Sequence, residues 1–404
     1  MLNSLKNRRV LVVPDSIWGE DSGHRSTKYL LKILERQGND VAVYAEDNQS
    51  YLSQKNEFIQ ENGIKVFPKT PYRFKDQFFV LNAKAKKEFY EVLSNYSPDL
   101  VFYFGTINNK VSINFLSKYK RHIPYYYLPL TNEFWCFKDF AGRENGECFK
   151  CIKGNYYYSY KYKCLEDRSI LYYFKKYIEA FHSRWRMKNA KLVFGYSNSQ
   201  KKSIKSFGVD PRNISKTKIF FDRETVKNIK SKKGNYIVVI GQLSVAKGWH
   251  IVPKVIKENR NEDTKFKLII FKKEKAMKYL KDNNLDQYVQ SGKIEILSGL
   301  QSHKDVLKVV AESLGVFIPS SYPTTGEFAL LESMGLSKPV LAFNVGAHQD
   351  FLVHGENALV SELGDAEGIN SNIQKLYSDD YLWKKISNNS KNTFEDLTDI
   401  SLNS

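Results

Sequence analysis

Two doubly wound α/β domains facing each other across a cleft are what this 404-residue chain predicts. Three observations lead there. Strand-length apolar runs alternate with helical periodicity, and the series restarts after a polar, basic stretch near residues 216–234. The length exceeds one ordinary α/β core, since domains of about 100–200 residues are usual. Finally, PSSYPTTGEFALLESMG, residues 319–335, reads as the end of a strand, a polar loop and the start of an apolar helix. Such a junction is where α/β folds bind anions.

The elements follow in order. RRVLVVPDS is a first strand and IWGEDSGHRS the loop behind it. Ser26 or Thr27 is placed to cap a helix whose Leu30, Leu31 and Leu34 share one face. Gly38 stops it, and DVAVYA is the second strand, which completes a βαβ unit. PDLVFYF, IPYYYLPL and KLVFGYS are further strands. Beyond SKKGN, NYIVVIG is a strand and GWHIVPKVIKEN a helix. KFKLIIF, KIEILSG, GVFIPSS and PVLAFNV are four more strands.

Composition narrows the function classes. No apolar run approaches the roughly 18 residues of a membrane helix, and the N-terminal VLVV is too short for a signal peptide, so a cytoplasmic protein is expected. The 62 Lys and Arg against 44 Asp and Glu give a net charge of +18. That excess suits an anionic membrane surface or acidic small substrates. It also suits simple solubility. No nucleic-acid motif accompanies it, and nucleic acid is not expected as a partner.

In GQLSVAKG, residues 241–248, a strand runs into a loop that carries Lys247 just before the expected helix. Its ammonium and the helix's free N–H groups are expected to converge on one anion. The order Lys-Gly excludes a P-loop. The backbone N–H groups of Thr325, Gly326 and Glu327 would face the same cleft. Glu332 lies in an apolar turn, where its carboxylate needs a donor: a ribose diol, or a buried structural partner.

Taken together, these segments resemble a GT-B glycosyltransferase of the large family four, retaining enzymes with nucleotide-sugar donors. GQLSVAKGW resembles that family's G-R-L-S-x-x-K-G. IPSSYPTTGEFALLESMGLSKPVLAFNVGAHQDFLVHGENALV resembles its Pro-Ser, E-x7-E, G-x-P-V-(I/L)-A and D-G-x-N-G-x-L-V series. SGHRSTKYLLKILERQGNDVAVY resembles its glycine-rich donor loop and helix. The resemblance implies a donor side formed by Gly23, Gln242, Ser244, Lys247, Thr324, Thr325, Gly326, Phe328 and Glu332. Lys247, Glu327 and Glu332 would carry the chemistry. Lys247 neutralises the leaving diphosphate, Glu327 faces the hexose or caps its helix, Glu332 holds the ribose, and Gly23 admits the donor to the first domain's backbone. Catalysis without a cofactor is implied, and the chain contains no Asp-x-Asp to hold a divalent ion.

Three positions depart from the family pattern. Gln242 replaces its phosphate-binding Arg, and Thr324 replaces the first Glu of E-x7-E. Asn132, anchored on Trp135 in TNEFW, stands where many members carry an acceptor-side His; His24 is a substitute candidate.

All four cysteines, Cys136, Cys148, Cys151 and Cys164, fall within an insertion at about 132–165. The C-x2-C centre fits a structural four-thiolate zinc site, with reduced thiols and disulfides as the other readings. A similar cysteine-rich insertion occurs in a subset of the resembled family. Next, FKKYIEAFHSRWRMKNAK sets Tyr177, Ile178, Phe181 and Trp185 on one helical face among Lys175, Lys176, Arg184, Arg186, Lys188 and Lys191. An interfacial helix on anionic lipid and an ordinary packed amphipathic helix both fit.

The expected organisation is an acceptor domain over residues 1–215 and a nucleotide-sugar domain over 216–385. A tail, 386–404, would return to the first domain. The expected activity moves a sugar from a UDP- or GDP-type nucleoside-diphosphate sugar to a glycan or lipid-linked acceptor, as in bacterial surface polysaccharide or glycolipid assembly. Its location would be cytoplasmic or peripheral on the inner membrane face. The alternative is a catalytically silent GT-B protein acting as a partner or glycan-binding subunit.

Overall fold

A computed structural model of the chain describes residues 6–14, 17–18, 22–46, 63–69, 83–105, 110–132, 134–138, 140–143, 146–165, 169–300 and 302–400. The chain divides into two compact units. One comprises residues 1–141, 149–222 and 400–404, the other residues 142–148 and 223–399. The short segment 142–148 thus folds with the second unit, and the helix Asp380–Thr398 runs unbroken across residue 386.

The first unit is built on β1 (Arg9–Pro14), β2 (Asp40–Glu46), β3 (Lys65–Lys69), β4 (Leu100–Phe104) and β5 (Tyr125–Leu128). After the small antiparallel hairpin β6 (Gly142–Arg143) and β7 (Gly146–Glu147) of the other unit, β8 (Leu192–Gly195) and β9 (Ile214–Lys216) complete its sheet. The sheet is parallel in the order β3-β2-β1-β4-β5-β8-β9. Covered on both faces, its central strands read as continuous apolar runs, VLVV in β1 and LVFYF in β4. The first helix begins at Ser22, four residues ahead of the expected cap. Ser26 and Thr27 are therefore interior residues: Ser26 Oγ donates to Phe220 O at 2.9 Å and Thr27 Oγ1 to Gly23 O at 2.9 Å.

The second unit carries β10 (Tyr236–Val239), β11 (Lys265–Ile269), β12 (Ile294–Leu297), β13 (Gly315–Ile318), β14 (Val340–Phe343) and β15 (Leu359–Ser361). They form a parallel sheet ordered β12-β11-β10-β13-β14-β15. Strand order reverses between β10 and β13, which makes the carboxyl ends of those two strands the switch point of the sheet. The expected helix over GWHIVPKVIKEN is shorter than its pattern. Only Val252–Glu258 is helical, entered through Pro253. The C-terminal helices belong to this unit's core, where Trp383 Nε1 donates to Leu314 O at 2.7 Å and Phe394 packs on Gly335.

Candidate functional site

The loops after β10 and β13 meet at that switch point, and two glycines let them. Gly248 lies at φ 72°, and a Cβ there would stand 1.7 Å from Pro319 O. Gly346, in the loop after β14, lies at φ 49°, and its Cβ would stand 2.2 Å from Thr324 N. The contacts are made by hydrogen bonds: Ser321 N donates to Ala246 O at 3.1 Å, Ser321 Oγ to Val245 O at 2.8 Å, and Ala347 N to Thr324 O at 2.9 Å.

Lys247 sits in a run of turns rather than at a helix start, with its N–H on Ser244 Oγ at 3.3 Å. Its ammonium forms an ion pair with Glu327 Oε1 and donates to Tyr322 Oη at 2.9 Å, while lying 4.8 Å from the Tyr322 ring centroid. An ammonium has three donors, and two are used by these described partners. The Lys247 side chain keeps 25% of its surface exposed, against 6% for Glu327.

Glu327 occupies the N-cap position of helix Phe328–Gly335 without capping it. Its Oε1 instead accepts from Ser320 Oγ at 2.7 Å in addition to Lys247, and its Oε2 faces His348 Nε2 at 3.1 Å. The His348 ring is fully buried, with Nδ1 3.0 Å from Phe343 O. The contact to Glu327 lowers that carboxyl's pKa, as a donation from Nε2 does, and the role of Nδ1 follows the tautomer. Burial raises the Glu327 pKa, but Lys247 and His348 outweigh it and hold the carboxyl well below the usual range. For Lys247, burial opposes the charge, and Glu327 with Tyr322 outweighs it, holding the ammonium above the ordinary lysine value.

The network extends to Glu147 of the β6–β7 hairpin, whose Oε1 accepts Gly346 N at 2.6 Å. Burial pushes this carboxyl's pKa up, and the Gly346 N–H and His348 pull it back. Two buried polar atoms at these loops have no hydrogen-bond partner among the described residues: Thr324 Oγ1, and Trp249 Nε1 beside Gly241.

The predicted residues are therefore only partly assembled. Ser244, Lys247 and Glu327 come together, with Thr324 in the adjoining loop; Thr325, Gly326 and Phe328 are half-buried there, and Gln242 is exposed. Glu332 lies apart from this cluster, on the next helix. It is buried and pairs through Oε1 with His303 Nε2 at 3.0 Å, at the first residue of helix His303–Ala311. In the first unit, Gly23 and His24 lie in the first turn of helix Ser22–Arg36. Asn132 is buried in a turn, its carbonyl accepting Trp135 N at 3.2 Å and Cys136 N at 2.9 Å.

The expected zinc site is not assembled. Among the described residues no group of three or more His, Cys, Asp or Glu is placed to hold a metal ion, and none of the four cysteines is in a disulfide. Burial pushes the Cys136 thiol up to about 12, offset in part by the backbone N–H groups of Lys138 and Ala141 and reinforced by Cys151 and Cys164. Sequence reasoning missed Ser320, Tyr322, His348 and Glu147. His348 and Tyr322 lie inside the quoted motif segments, but nothing local marks them as partners of residues 21 and 75 positions away.

These two Rossmann-like units define an α/β protein of the GT-B architecture. Over residues 220–393 the chain matches the family model described as glycosyl transferases group 1. The structure of HepE from Anabaena in complex with UDP is similar with a TM-score of 0.68 at 14% identity, covering 97% of this chain and 96% of that one. Sucrose-phosphate synthase from Thermosynechococcus elongatus gives 0.69 at 11% identity, covering 97% and 95%. Among curated proteins, 2-deoxystreptamine N-acetyl-D-glucosaminyltransferase of Niallia circulans is 24% identical over 148 residues, 36% of each chain. An uncharacterized glycosyltransferase of Methanocaldococcus jannaschii is 29% identical over 161 residues, 39% of this chain and 42% of the relative. The chain thus spans well under half the length of the curated relatives it matches.

Proposed function

We propose that the chain is a retaining glycosyltransferase. It moves a sugar from a nucleoside-diphosphate donor to a glycan or lipid-linked acceptor, in assembly of a bacterial surface polysaccharide or glycolipid. One observation carries the reading: Lys247 stands where the loops after β10 and β13 meet, at the switch point of a parallel sheet, with its third N–H unclaimed by the described residues. The donor's diphosphate accepts that N–H and lies toward the N-terminus of helix Phe328–Gly335. Glu327 and Tyr322 orient the ammonium, and His348 and Ser320 orient Glu327. Thr324 Oγ1 and Trp249 Nε1 remain as polar groups for the donor.

In the reaction the bond from the anomeric carbon to the diphosphate oxygen breaks and a bond to the acceptor oxygen forms on the same face. The acceptor proton passes to the departing diphosphate, and Lys247 stabilises the charge that develops there. A uridine donor is supported by relatives: HepE structures hold UDP and UDP-glucose, and a TarM structure holds UDP with alpha-GlcNAc-glycerol.

Thermal shift with UDP-, GDP- and dTDP-sugars tests this. One donor at about 100 times its Kd stabilises by about 2.7 kcal/mol, a rise of several degrees, and Lys247→Met abolishes it. No shift from any donor on the folded chain would favour the silent-partner reading instead. That reading has its own support, because Glu327 already neutralises Lys247 without a phosphate.

A further inference from the structure

The long helix Ile170–Asn189 buries Ala180 and Met187 and sets Tyr172 and Tyr173 against the first unit's core. Among the described residues, nothing covers its opposite face. Ile170 is 82% exposed, Phe174 61%, Tyr177 51% and Phe181 64%, spaced four, three and four residues apart. At 100° per residue these four lie within about 60° of arc and form a stripe roughly 17 Å long. Leu171, at 79%, flanks it. The short helix Tyr157–Lys161 packs alongside: the Tyr160 ring lies 5.3 Å from Tyr173, and Tyr173 Oη donates to Ser159 O at 3.1 Å. It leaves Tyr157 and Tyr160 exposed as well. The stripe differs from the expected face, because Ile178 and Trp185 are half-buried and Tyr177 and Phe181 are the members that remain outside.

Contiguous exposed apolar surface on this scale marks an interaction site, and the charge around it selects the occupant. Residues 150–189 hold ten Lys and Arg against three Asp and Glu, 10 − 3 = +7. Lys150, Lys153, Lys161, Lys163 and Lys188 are exposed. A second copy docking through the same face would bring this basic rim against itself. No helix among the described residues is long and apolar enough to cross a membrane, and the stripe is one-sided. An apolar face of Ile, Leu, Phe and Tyr framed by lysines suits the headgroup boundary of an anionic bilayer.

We propose that the exposed faces of helices Tyr157–Lys161 and Ile170–Asn189 form a docking surface for an anionic lipid membrane. The apolar stripe seats at the acyl boundary and the lysines seat among the headgroups. This inference is independent of the donor reading, since it is tested without any donor.

The test is vesicle co-sedimentation of the full chain, using phosphatidylcholine alone and phosphatidylcholine with one-third phosphatidylglycerol. Binding to the anionic vesicles is expected, weakening as salt rises. Phe174→Ser combined with Phe181→Ser should reduce it about tenfold or more, and Ile170→Ser with Leu171→Ser should do likewise. Tyr381→Ser, 80% exposed in the other unit, should leave it unchanged. A Phe174→Trp variant should shift its emission to the blue when anionic vesicles are added, whereas Tyr381→Trp should not. The proposal is overturned if wild type binds neither vesicle, or if the stripe variants bind as wild type does. It is equally overturned if those variants only convert a dimer to a monomer in light scattering while vesicle binding persists.

Discussion

Replacing Glu327 with Gln preserves shape and removes one charge from the tightest cluster of polar groups at the candidate site. Three donors converge on this carboxylate: Lys247, Ser320 Oγ at 2.7 Å and His348 Nε2 at 3.1 Å. An amide offers one acceptor oxygen and turns its NH2 toward the remaining donor, so at least one contact becomes donor against donor. Breaking a buried pair from one side costs about 3–5 kcal/mol. Lys247, 25% exposed, recovers part of its hydration, which lowers that term. The buried His348 ring regains none, and an unmet donor there adds about 1–3 kcal/mol. A net loss of about 3 kcal/mol follows, which lowers the second unit's Tm by roughly 6–12 °C.

The pH profile has a definite sign. Glu327 is held below its unfolded value, so its stabilisation is present above about pH 4.3 and lost as pH falls through the folded-state value. Lys247 is held above its own, so its stabilisation is present below about pH 10.4 and lost as pH rises further. Neither of these two titrations falls between about pH 5 and about pH 9, so neither changes the Glu327→Gln penalty there. Denaturant melts of wild type, Glu327→Gln, Lys247→Met and the double variant measure it, with an expected coupling above about 1.5 kcal/mol. A penalty under about 0.5 kcal/mol with no coupling would refute the account of Lys247 and Glu327 as one unit.

Other consequences are as specific. Gly346→Ala places a Cβ 2.2 Å from Thr324 N, so calorimetry should show a loss of about 1–3 kcal/mol and thermal shift should show a weakened donor response. Lys338 is wholly buried, with Nζ donating to Lys232 O at 2.6 Å and Ser313 O at 3.0 Å; burial lowers its pKa to about 8, against a smaller opposing pull from Glu312. The unfolded chain binds the proton that the folded chain gives up. Wild type should therefore gain stability relative to Lys338→Met as pH rises from about 8 to about 10.4, and parallel slopes in paired melts would count against this. The Cys136 thiol, pushed up to about 12, should react with a disulfide reagent at pH 8 at least about thirtyfold more slowly than an unperturbed cysteine, as residue-resolved labelling would show.

Much of the scaffold was legible because strand formation in a buried parallel sheet leaves a local signature. RVLVVP, LVFYF, YIVV and GVFI are each apolar on both faces, and each is a strand. The two glycine-dependent loops were legible as well, since Lys247 and Glu327 sit in the segments that the polar junctions single out. Helix starts were less so. Ser26 looked like a cap and lies inside a helix because its hydroxyl is used by Phe220, almost two hundred residues away.

The sequence alone determined the class of fold and the two loops on which the site stands, since strand pattern and turn chemistry are written within a few residues. Only the tertiary structure decided which charges meet. Glu327 reads locally as a helix cap or a sugar contact, and it becomes the partner of Lys247, eighty positions earlier, and of His348. Glu332 finds His303. Glu147 reaches Gly346 from a hairpin that the chain order assigns to the other half. A buried carboxylate takes whichever donor the packing delivers, and packing delivers donors by distance in space, which spacing along the chain does not record.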